Sequence, residues 1–592
     1  MTQIKDSIAH GTSLTSPLLL VRDLSIAVLH RAGEDSTGAR EGYDLTGHRT
    51  VVRNLSFEVR AGETVALVGE SGSGKTLSAL ASIGLLPNSA KVVSGAISFE
   101  GQSIIDTGAV SPTASRSSSQ HDNDISKRWS TLRGSRIGMV FQEPMSAMNP
   151  VLTIGEQVAE TVVRHRGMSW RAAYKEAVEM LDRVGIREPG LRARQYLHQL
   201  SGGMRQRAMI ASAIICRPAL LIADEPTTAL DVTVQAQILA LLKDLQAEMN
   251  MGLLLISHDL GVVGSVADRL HVMRGGEIVE EGVTKTVLTS PRHIYTIGLL
   301  DALERPLARE TNDAAPHALR HASHDATPIL RVHGLRKRYA VGARNWRGKR
   351  KSIDAVKQVD FRVDSAEIVG LIGESGSGKS TVGRIALGMV KPSGGEVLIS
   401  GEPWSNALGA NARRMRRRVQ IVFQDPYASL NPEMSIGESI AEPIRAHKLR
   451  MGHAVNDRVV ELLEQVGLTA AHAVSRPNAF SGGQRQRIAI ARALALEPSL
   501  LIADEAVSAL DVSVRAQILQ LFSNLRAQLG LAILFISHDL GVVRQLCDRV
   551  IVMRLGEVVE QGTVEQVLDA PQHSYTQSLL KAVPALPPRI FA

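Results

Sequence analysis

Four short motifs occur twice in this 592-residue chain, in the same order each time. The pairs are GESGSGKT at Gly69 and GESGSGKS at Gly373; SGGMRQR at Ser201 and SGGQRQR at Ser481; LLIADE at Leu220 and Leu500; and ISHDLGVV at Ile256 and Ile536. A chain of this length exceeds what one hydrophobic core usually supports. Two fused copies of one unit are therefore the simplest interpretation, and each half must fold around the same motifs.

The repeat also predicts the domain boundaries. We expect a first domain at residues 17–302, a linker at 303–328 that contains Pro, His and charge without apolar periodicity, and a second domain at 329–592. The first two motifs are farther apart in the first half than in the second, and Ser-rich Ser111–Asp124 supplies the extra residues. This segment is predicted to be a disordered loop.

Composition narrows the class of protein. Hydrophobic residues make up 44% and charged residues 21%, which is ordinary globular usage. Apolar stretches are interrupted before membrane-spanning length, and no signal peptide is recognised at the start, so a cytoplasmic chain is expected. Cys216 and Cys547 are too few for a cysteine-only zinc site or an iron–sulphur cluster and are predicted to be buried thiols.

The net charge of +8 is compatible with either nucleic acid or an anionic membrane surface. No aromatic stacking platform accompanies the basic runs at Trp346–Lys351 and Arg413–Arg418, and aromatic residues make up only 3% of the chain. A solvated basic face is favoured over a nucleic-acid site.

The GxxxxGK[ST] motifs predict two phosphate-binding loops, each between an apolar strand and a helix. Small residues let backbone N–H groups turn toward phosphate oxygens, the lysine adds charge, and the last hydroxyl can bind Mg²⁺. The predicted binding residues are Gly69, Ser71, Gly72, Gly74, Lys75 and Thr76 in the first half, and Gly373, Ser375, Gly376, Gly378, Lys379 and Ser380 in the second.

Each LLIADE strand ends in two acids that need a cation or a proton. Asp224 and Asp504 are placed to hold Mg²⁺, while Glu225 and Glu505 can polarise the water that attacks the γ-phosphate. Downstream of a phosphate loop, this pair predicts ATP hydrolysis.

Two Ser-Gly-Gly sequences precede helical segments, which favours an anion site at each helix N-terminus over capping alone. Their residues are Ser201, Gly202 and Gly203, and Ser481, Gly482 and Gly483. His258 and His538 end apolar strands, where an imidazole could reach a γ-phosphate oxygen. Helical spacing at about residues 155–199 and 437–479 predicts a helical subdomain in each half.

Taken together, these residues resemble the ATP-binding-cassette family over nearly the whole chain. The resemblance implies an α/β fold with two P-loop NTPase cassettes, each a RecA-like core with an antiparallel β subdomain and an α-helical subdomain. It further implies that Gln142 and Gln424, in VFQEP and VFQDP, act in catalysis and as metal ligands beside Thr76 and Ser380.

In this family the Ser-Gly-Gly element of one half completes the ATP site of the other half. The resemblance therefore implies that two Mg-ATP are sandwiched between the halves, with Asp231 and Asp511 in elements that cross the interface. Departures are small: Met204 replaces the usual Gln, and Ala506-Val507 replaces the usual Pro-Thr.

Finer motifs are similar to the oligopeptide/dipeptide importer ATPases, and most of all to those of glutathione and short-peptide uptake. They are FQEPMSAMNP, FQDPYASLNP, PRHIYTIGLL and PQHSYTQSLL. The resemblance implies two integral membrane permease subunits as partners, an extracytoplasmic substrate-binding protein acting indirectly, no nucleic acid, and a place on the cytoplasmic face of the inner membrane.

Two other classes compete with a transport motor. A tandem cassette acting on ribosomes predicts a long charged helical linker, whereas residues 303–328 are short and contain Pro. A DNA-repair cassette needs zinc-binding cysteines that the sequence lacks.

The adenine pockets are expected to differ. Tyr339 occupies the position where the family commonly stacks an aromatic ring on adenine, and the first half has Val28 there. Tyr43 or His30 could instead supply the first pocket from the loop before Val51.

Overall fold

The computed structural model describes residues 16–29, 48–107, 118–228, 230–304, 327–341, 351–404, 409–508, 510–584 and 587–588. The chain divides into two compact units: Met1–Thr227 with Ile238–Thr296 and Ala585–Ala592, and Thr228–Gln237 with Ile297–Pro584. Most of the expected linker at 303–328, together with Tyr43 and His30, lies outside the described residues, so those expectations stay predictions.

The first half contains a mixed sheet beside an antiparallel sheet. Its strands are β1 Leu19–Leu29, β2 His48–Val59, β3 Thr64–Gly69, β4 Ala90–Phe99, β5 Gln102–Asp106, β6 Ile137–Val140, β7 Leu220–Asp224, β8 Gly252–Ser257, β9 Arg269–Arg274 and β10 Glu277–Val283. The core sheet has the order β10-β9-β3-β8-β7-β6, and β2-β1-β4-β5 form the other. Every residue of β3 is buried, as the apolar run predicted for a central parallel strand.

Helices of the first half flank these sheets and form a separate helical region. They are α1 Lys75–Ala81, α2 Ser118–Leu132, α3 Pro144–Ala147, α4 Ile154–Arg166, α5 Trp170–Arg183, α6 Pro189–Arg192, α7 Gly202–Ile214, α8 Val232–Met249, α9 Leu260–Val266, α10 Thr284–Thr289 and α11 Ile294–Glu304. Thr153 and Glu156 form a reciprocal capping box that starts α4. The predicted helical subdomain is confirmed, with α4 packed against α5 and α7.

The second half repeats the arrangement. Its strands are β11 Leu330–Val341, β12 Lys351–Val363, β13 Ile368–Ile372, β14 Gly394–Ile399, β15 Glu402–Pro403, β16 Val419–Val422, β17 Leu500–Asp504, β18 Ala532–Ile536, β19 Arg549–Arg554 and β20 Glu557–Thr563. In this half the antiparallel sheet and the core sheet are joined, because Gln358 of β12 pairs with Glu557 of β20. The combined strand order is β15-β14-β11-β12-β20-β19-β13-β18-β17-β16.

Its helices are α12 Lys379–Ala386, α13 Gly409–Arg418, α14 Pro426–Ser429, α15 Ile436–Ala446, α16 His453–Gln465, α17 Gly482–Leu494, α18 Val512–Leu529, α19 Leu540–Leu546 and α20 Ser574–Lys581. A π-helical turn at Glu565–Asp569 precedes α20. No helix within the described ranges is both long enough and apolar enough to cross a membrane. The helical subdomain predicted at about 437–479 is confirmed by α15 and α16, which pack on α17.

The prediction of a disordered loop at Ser111–Asp124 is wrong for the residues from Ser118 onward. Helix α2 begins at Ser118, while residues 111–117 lie outside the described ranges. The helix is anchored downstream, where Trp129 is 2% exposed and packs beneath Gly84, with Ile125 and Leu132 against the same core. Burial of these apolar groups outweighs the weak helix propensity of the polar first turn.

The two cysteines are not joined in a disulfide. Cys547 is buried, as predicted, whereas Cys216 is only partly covered. Burial raises the pKa of both thiols, which disfavours the reactive thiolate.

Candidate ATP-hydrolysing sites

The first phosphate loop connects the end of β3 to the start of α1. Gly74 precedes the helix with φ of 97°, and a Cβ there would lie 2.6 Å from Val52 Cγ2. Only glycine combines this backbone conformation with that close approach. The sequence thus bends the chain sharply and leaves Lys75 and Thr76 at the first turn of the helix.

Both lysines are buried and held by the loops that carry them. Lys75 Nζ donates to the carbonyl oxygens of Gly69 at 2.7 Å and Glu70 at 2.8 Å. Lys379 Nζ repeats this with Gly373 at 2.7 Å and Glu374 at 2.9 Å. Ser73 Oγ, which the motif alone did not single out, lies 3.3 Å from Lys75 Nζ. Each ammonium group is therefore fixed inside the concave face of its loop.

The hydroxyl that ends each loop contacts the aspartate at the end of β7 or β17, which is separated by one strand from the strand before the loop. Thr76 Oγ1 donates to Asp224 Oδ1 at 3.3 Å, and Ser380 Oγ donates to Asp504 Oδ1 at 3.2 Å. Burial raises the pKa of Asp224 to about 6 and also raises the pKa of Asp504. Burial outweighs the charge of Lys75, which lowers the pKa of Asp224, and that of Lys379, which lowers the pKa of Asp504. A buried carboxylate beside a hydroxyl offers the oxygen ligands that a hard divalent cation such as Mg²⁺ prefers.

The glutamate after each aspartate is held from two sides. Gln142 Nε2 donates to Glu225 Oε2 at 2.7 Å, and His258 Nδ1 lies 3.1 Å from Glu225 Oε1. The predicted candidates from three separate segments are therefore brought together around one carboxylate. Sequence spacing alone could not give these distances.

The second site repeats this geometry closely. Gln424 Nε2 donates to Glu505 Oε2 at 2.8 Å, and His538 Nδ1 lies 3.5 Å from Glu505 Oε1. Burial alone would raise the pKa of Glu505, but the hydrogen bond and charge of His538 and the charge of Lys379 lower it. The carboxylate is thereby kept ionised and able to accept a proton.

Both glutamates have a backbone conformation that their sequence does not reveal. Glu225 has φ of 46° and Glu505 has φ of 51°, in the left-handed region that non-glycine residues seldom adopt. Their N–H groups donate to Ile256 O and Ile536 O, each at 2.9 Å. Such strain is often retained where a side chain must point in one direction, as these two do toward Gln and His.

The Ser-Gly-Gly sequences begin α7 and α17, as predicted. Ser481 Oγ accepts from Gln484 N at 3.3 Å, whereas Ser201 Oγ accepts from Met204 N at 3.4 Å. Gln484 Oε1 also accepts a hydrogen bond from Ser481 N, a contact that Met204 cannot make. Both serines therefore cap their helices.

Gly483 has a packing role that was not predicted. A Cβ there would lie 2.2 Å from Val514 Cγ1, so the helix α18 leaves no room for a side chain. The cost in helix propensity therefore does not by itself argue for an anion site. That Ser201 and Ser481 complete the opposite ATP sites stays a prediction.

Asp231 contacts the second phosphate loop as well as its own helix. Its Oδ1 accepts from Val234 N at 2.9 Å, and its Oδ2 accepts from Ser375 N at 3.2 Å. Asp511 is the N-cap residue of α18. Tyr339 lies on β11 with its side chain 37% exposed, and Lys337 Nζ is 4.9 Å from its ring. The exposed ring face is compatible with adenine stacking, which stays a prediction.

Comparisons with known proteins agree with this arrangement. The ABC transporter family matches residues 52–228 and 356–508. The family described as oligopeptide/dipeptide transporter, C-terminal region, matches residues 279–325 and 559–590. Each half therefore carries both regions.

Similar curated proteins include the glutathione import ATP-binding protein GsiA of Escherichia coli (strain K12) and that of Shigella dysenteriae serotype 1 (strain Sd197). Each is 46% identical and the match covers 91% of this chain and 87% of the relative. A solved structure, the dimeric post-hydrolysis state of the ATP-binding cassette MJ0796 bound to ADP and Pi, is 31% identical over 40% of this chain and 99% of that chain, with a TM-score of 0.36. The matched motifs, the paired sites and the family matches in both halves establish that this chain belongs to the ABC transporter family, as a tandem ATPase with the oligopeptide/dipeptide transporter C-terminal region in each half.

Proposed function

We propose that this chain is the peripheral ATPase subunit of an importer for glutathione or short peptides, at the cytoplasmic face of the inner membrane. The observation that carries the proposal is the completeness of both sites. Each keeps a lysine held by its phosphate loop, a hydroxyl paired with an aspartate, and a glutamate held by a glutamine and a histidine. The relatives' names and the oligopeptide/dipeptide region in both halves support the cargo class.

In the proposed reaction, Lys75 and Lys379 neutralise phosphate oxygens, while Glu225 and Glu505 accept a proton from the attacking water. His258 and His538 orient these carboxylates and can contact the transferred phosphate. Mg²⁺ would be held by Thr76, Gln142 and Asp224, or by Ser380, Gln424 and Asp504, and would neutralise charge on the β- and γ-phosphates. Two nucleotides closing the halves would convert hydrolysis into movement of membrane subunits.

A groove in the first half supports docking of such a subunit. It has a volume of about 350 Å³ and lies between the core sheet and the helical subdomain, with Phe141, Met148 and Met209 among its lining residues. Arg133 and Arg164 also line it, so an apolar floor is combined with cationic groups. We propose that it receives a short amphipathic helix of a permease subunit, next to Gln142 and hence to Glu225.

Copurification tests the proposed function. The chain should be isolated from solubilised membranes by an affinity tag, and the proteins that accompany it should be identified. Two integral membrane proteins in constant proportion to the chain would support the importer. Ribosomal proteins in their place would overturn it.

Filling the groove is expected to uncouple the subunit from its membrane partners. Ala147, an exposed groove residue, is three positions beyond Pro144 and outside the ATP-binding contacts. Ala147→Trp should reduce copurified permease at least severalfold while ATP binding is unchanged. Ala172→Trp, at an exposed position of α5 outside the groove, is the matched control. Equal retention of permease by both variants would contradict docking here.

Tyr339→Ala is expected to weaken nucleotide binding at the second site about fivefold, because an aromatic contact is worth roughly 1 kcal/mol. Val28→Ala should leave the first site nearly unchanged, because Val28 has no ring to stack. Nucleotide titrations of both variants measure the difference. Equal losses, or no loss in Tyr339→Ala, would refute the asymmetry.

A further inference from the structure

The tail sequences PRHIYT and PQHSYT place one tyrosine against each phosphate loop. Tyr295, at the start of α11, has its hydroxyl 3.2 Å from the backbone nitrogen of Glu70, which donates to it. Tyr575, at the start of α20, accepts in the same way from Glu374 N at 3.1 Å. The contact therefore occurs independently in both halves, although it joins residues 225 positions apart in the first half and 201 positions apart in the second.

The contacted N–H belongs to the peptide that also holds the lysine. The carbonyl of the Gly69–Glu70 peptide accepts from Lys75 Nζ at 2.7 Å, and the N–H of the same peptide donates to Tyr295. A peptide unit is planar, so fixing its N–H fixes the direction of its carbonyl. The tyrosine hydroxyl therefore binds one edge of this peptide, and the lysine ammonium binds the opposite edge.

The tyrosine is itself rigidly placed by its surroundings. In the first half, Glu280 on β10 accepts from Arg292 N at 2.7 Å and His293 N at 3.1 Å, and His293 Nδ1 accepts from Tyr295 N at 3.2 Å. The guanidinium of Arg274 lies 5.0 Å from the ring centroid. A ring with only 9% of its surface exposed and contacts on several sides has little freedom to move.

The second half contains the same set of contacts. Glu560 accepts from Gln572 N at 2.7 Å and His573 N at 3.2 Å, and His573 Nδ1 accepts from Tyr575 N at 3.1 Å. Arg554 lies 4.8 Å from the Tyr575 ring centroid, and burial raises the pKa of this phenol, so its hydroxyl stays neutral. Conservation of every contact between two diverged halves argues against incidental packing.

We propose that Tyr295 and Tyr575 are positioning residues for ATP binding: each hydroxyl orients the first peptide of a phosphate loop and thereby the carbonyl that holds the loop lysine. The region matched as oligopeptide/dipeptide transporter C-terminal region then has a direct part in nucleotide binding. Neither tyrosine touches the reacting atoms. Their effect is transmitted through the peptides of Glu70 and Glu374.

Tyr→Phe substitution tests this because it removes the hydroxyl and keeps the ring. Tyr295→Phe is made in a Lys379→Ala background, where nucleotide binding reports the first site, and Tyr575→Phe in a Lys75→Ala background. A neutral hydrogen bond is lost in each, so affinity for a non-hydrolysable ATP analogue should fall roughly three- to tenfold. The melting temperature without nucleotide should change little.

Exchanging the backgrounds provides the matched control. Tyr575→Phe in Lys379→Ala, and Tyr295→Phe in Lys75→Ala, should leave the measured affinity unchanged, because the substituted loop is not the one that binds. Tyr174→Phe on α5, within the helical subdomain, should also have no effect. The proposal is overturned if the matched variants bind as tightly as their parents, or if affinity falls equally in both backgrounds.

Discussion

Replacing Glu225 or Glu505 by Gln is expected to slow steady-state ATP hydrolysis by the assembled complex at least tenfold while ATP still binds. A positioned general base contributes about 10²–10⁴-fold to such a reaction, and Gln cannot accept the proton. The side chain keeps its size, so contacts with Gln142 and His258, or with Gln424 and His538, can largely persist. Each single variant should be affected, because both sites retain every contacting group.

The size of the effect distinguishes coupled from independent sites. If the sites worked independently, each single variant would keep about half of the activity, since the intact site would continue to turn over. A fall well below half indicates that both hydrolysis steps belong to one cycle. Glu277→Gln, on the exposed part of β10, is a matched control for the substitution. Full activity in either single variant would show that site to be dispensable.

Replacing Lys75 or Lys379 by Ala should strongly weaken nucleotide binding at one site and leave the other site unchanged. Each ammonium is buried at the centre of its loop, and hydrogen bonds to charged groups are worth about 1.5–3 kcal/mol each. We therefore expect affinity at the altered site to fall roughly tenfold to more than a hundredfold. The measured stoichiometry should drop from two nucleotides per chain to one.

Replacing a surface lysine distinguishes the effect of losing a positive charge from the effect of losing a nucleotide-binding group. Lys175 on α5 has a side chain that is 82% exposed, so Lys175→Ala should leave both affinity and stoichiometry unchanged. Unaltered stoichiometry in Lys75→Ala or Lys379→Ala at ATP concentrations near the wild-type dissociation constant would refute the assigned role.

The local parts of the fold and sites could be predicted from sequence. The phosphate loops follow from glycine spacing, and the buried strand β3 follows from a continuous apolar run. The pairing of Thr76 with Asp224 also follows, because Asp224 ends one parallel strand, and Thr76 lies in the first turn of the helix after a loop that leaves the same edge of the sheet. These features depend on neighbours in sequence or on a regular sheet.

Other features depend on contacts that no local pattern encodes. The start of α2 at Ser118 depends on Trp129 filling a space beneath Gly84, whereas its first turn has a disordered composition. Gly483 is required by Val514 on another helix. The Tyr295–Glu70 contact joins residues 225 positions apart, so the tail motif indicated a family but not its place beside ATP.

ATP-driven uptake tests the central claim most directly. The chain and its copurified membrane proteins should be placed in proteoliposomes with ATP inside and a substrate-binding protein outside, and uptake of labelled glutathione and a labelled dipeptide should be measured. We predict uptake of at least one of these that requires internal ATP and is lost in the Glu225→Gln/Glu505→Gln double variant. Normal ATP hydrolysis without uptake of either compound, or uptake that persists in the double variant, would contradict the account.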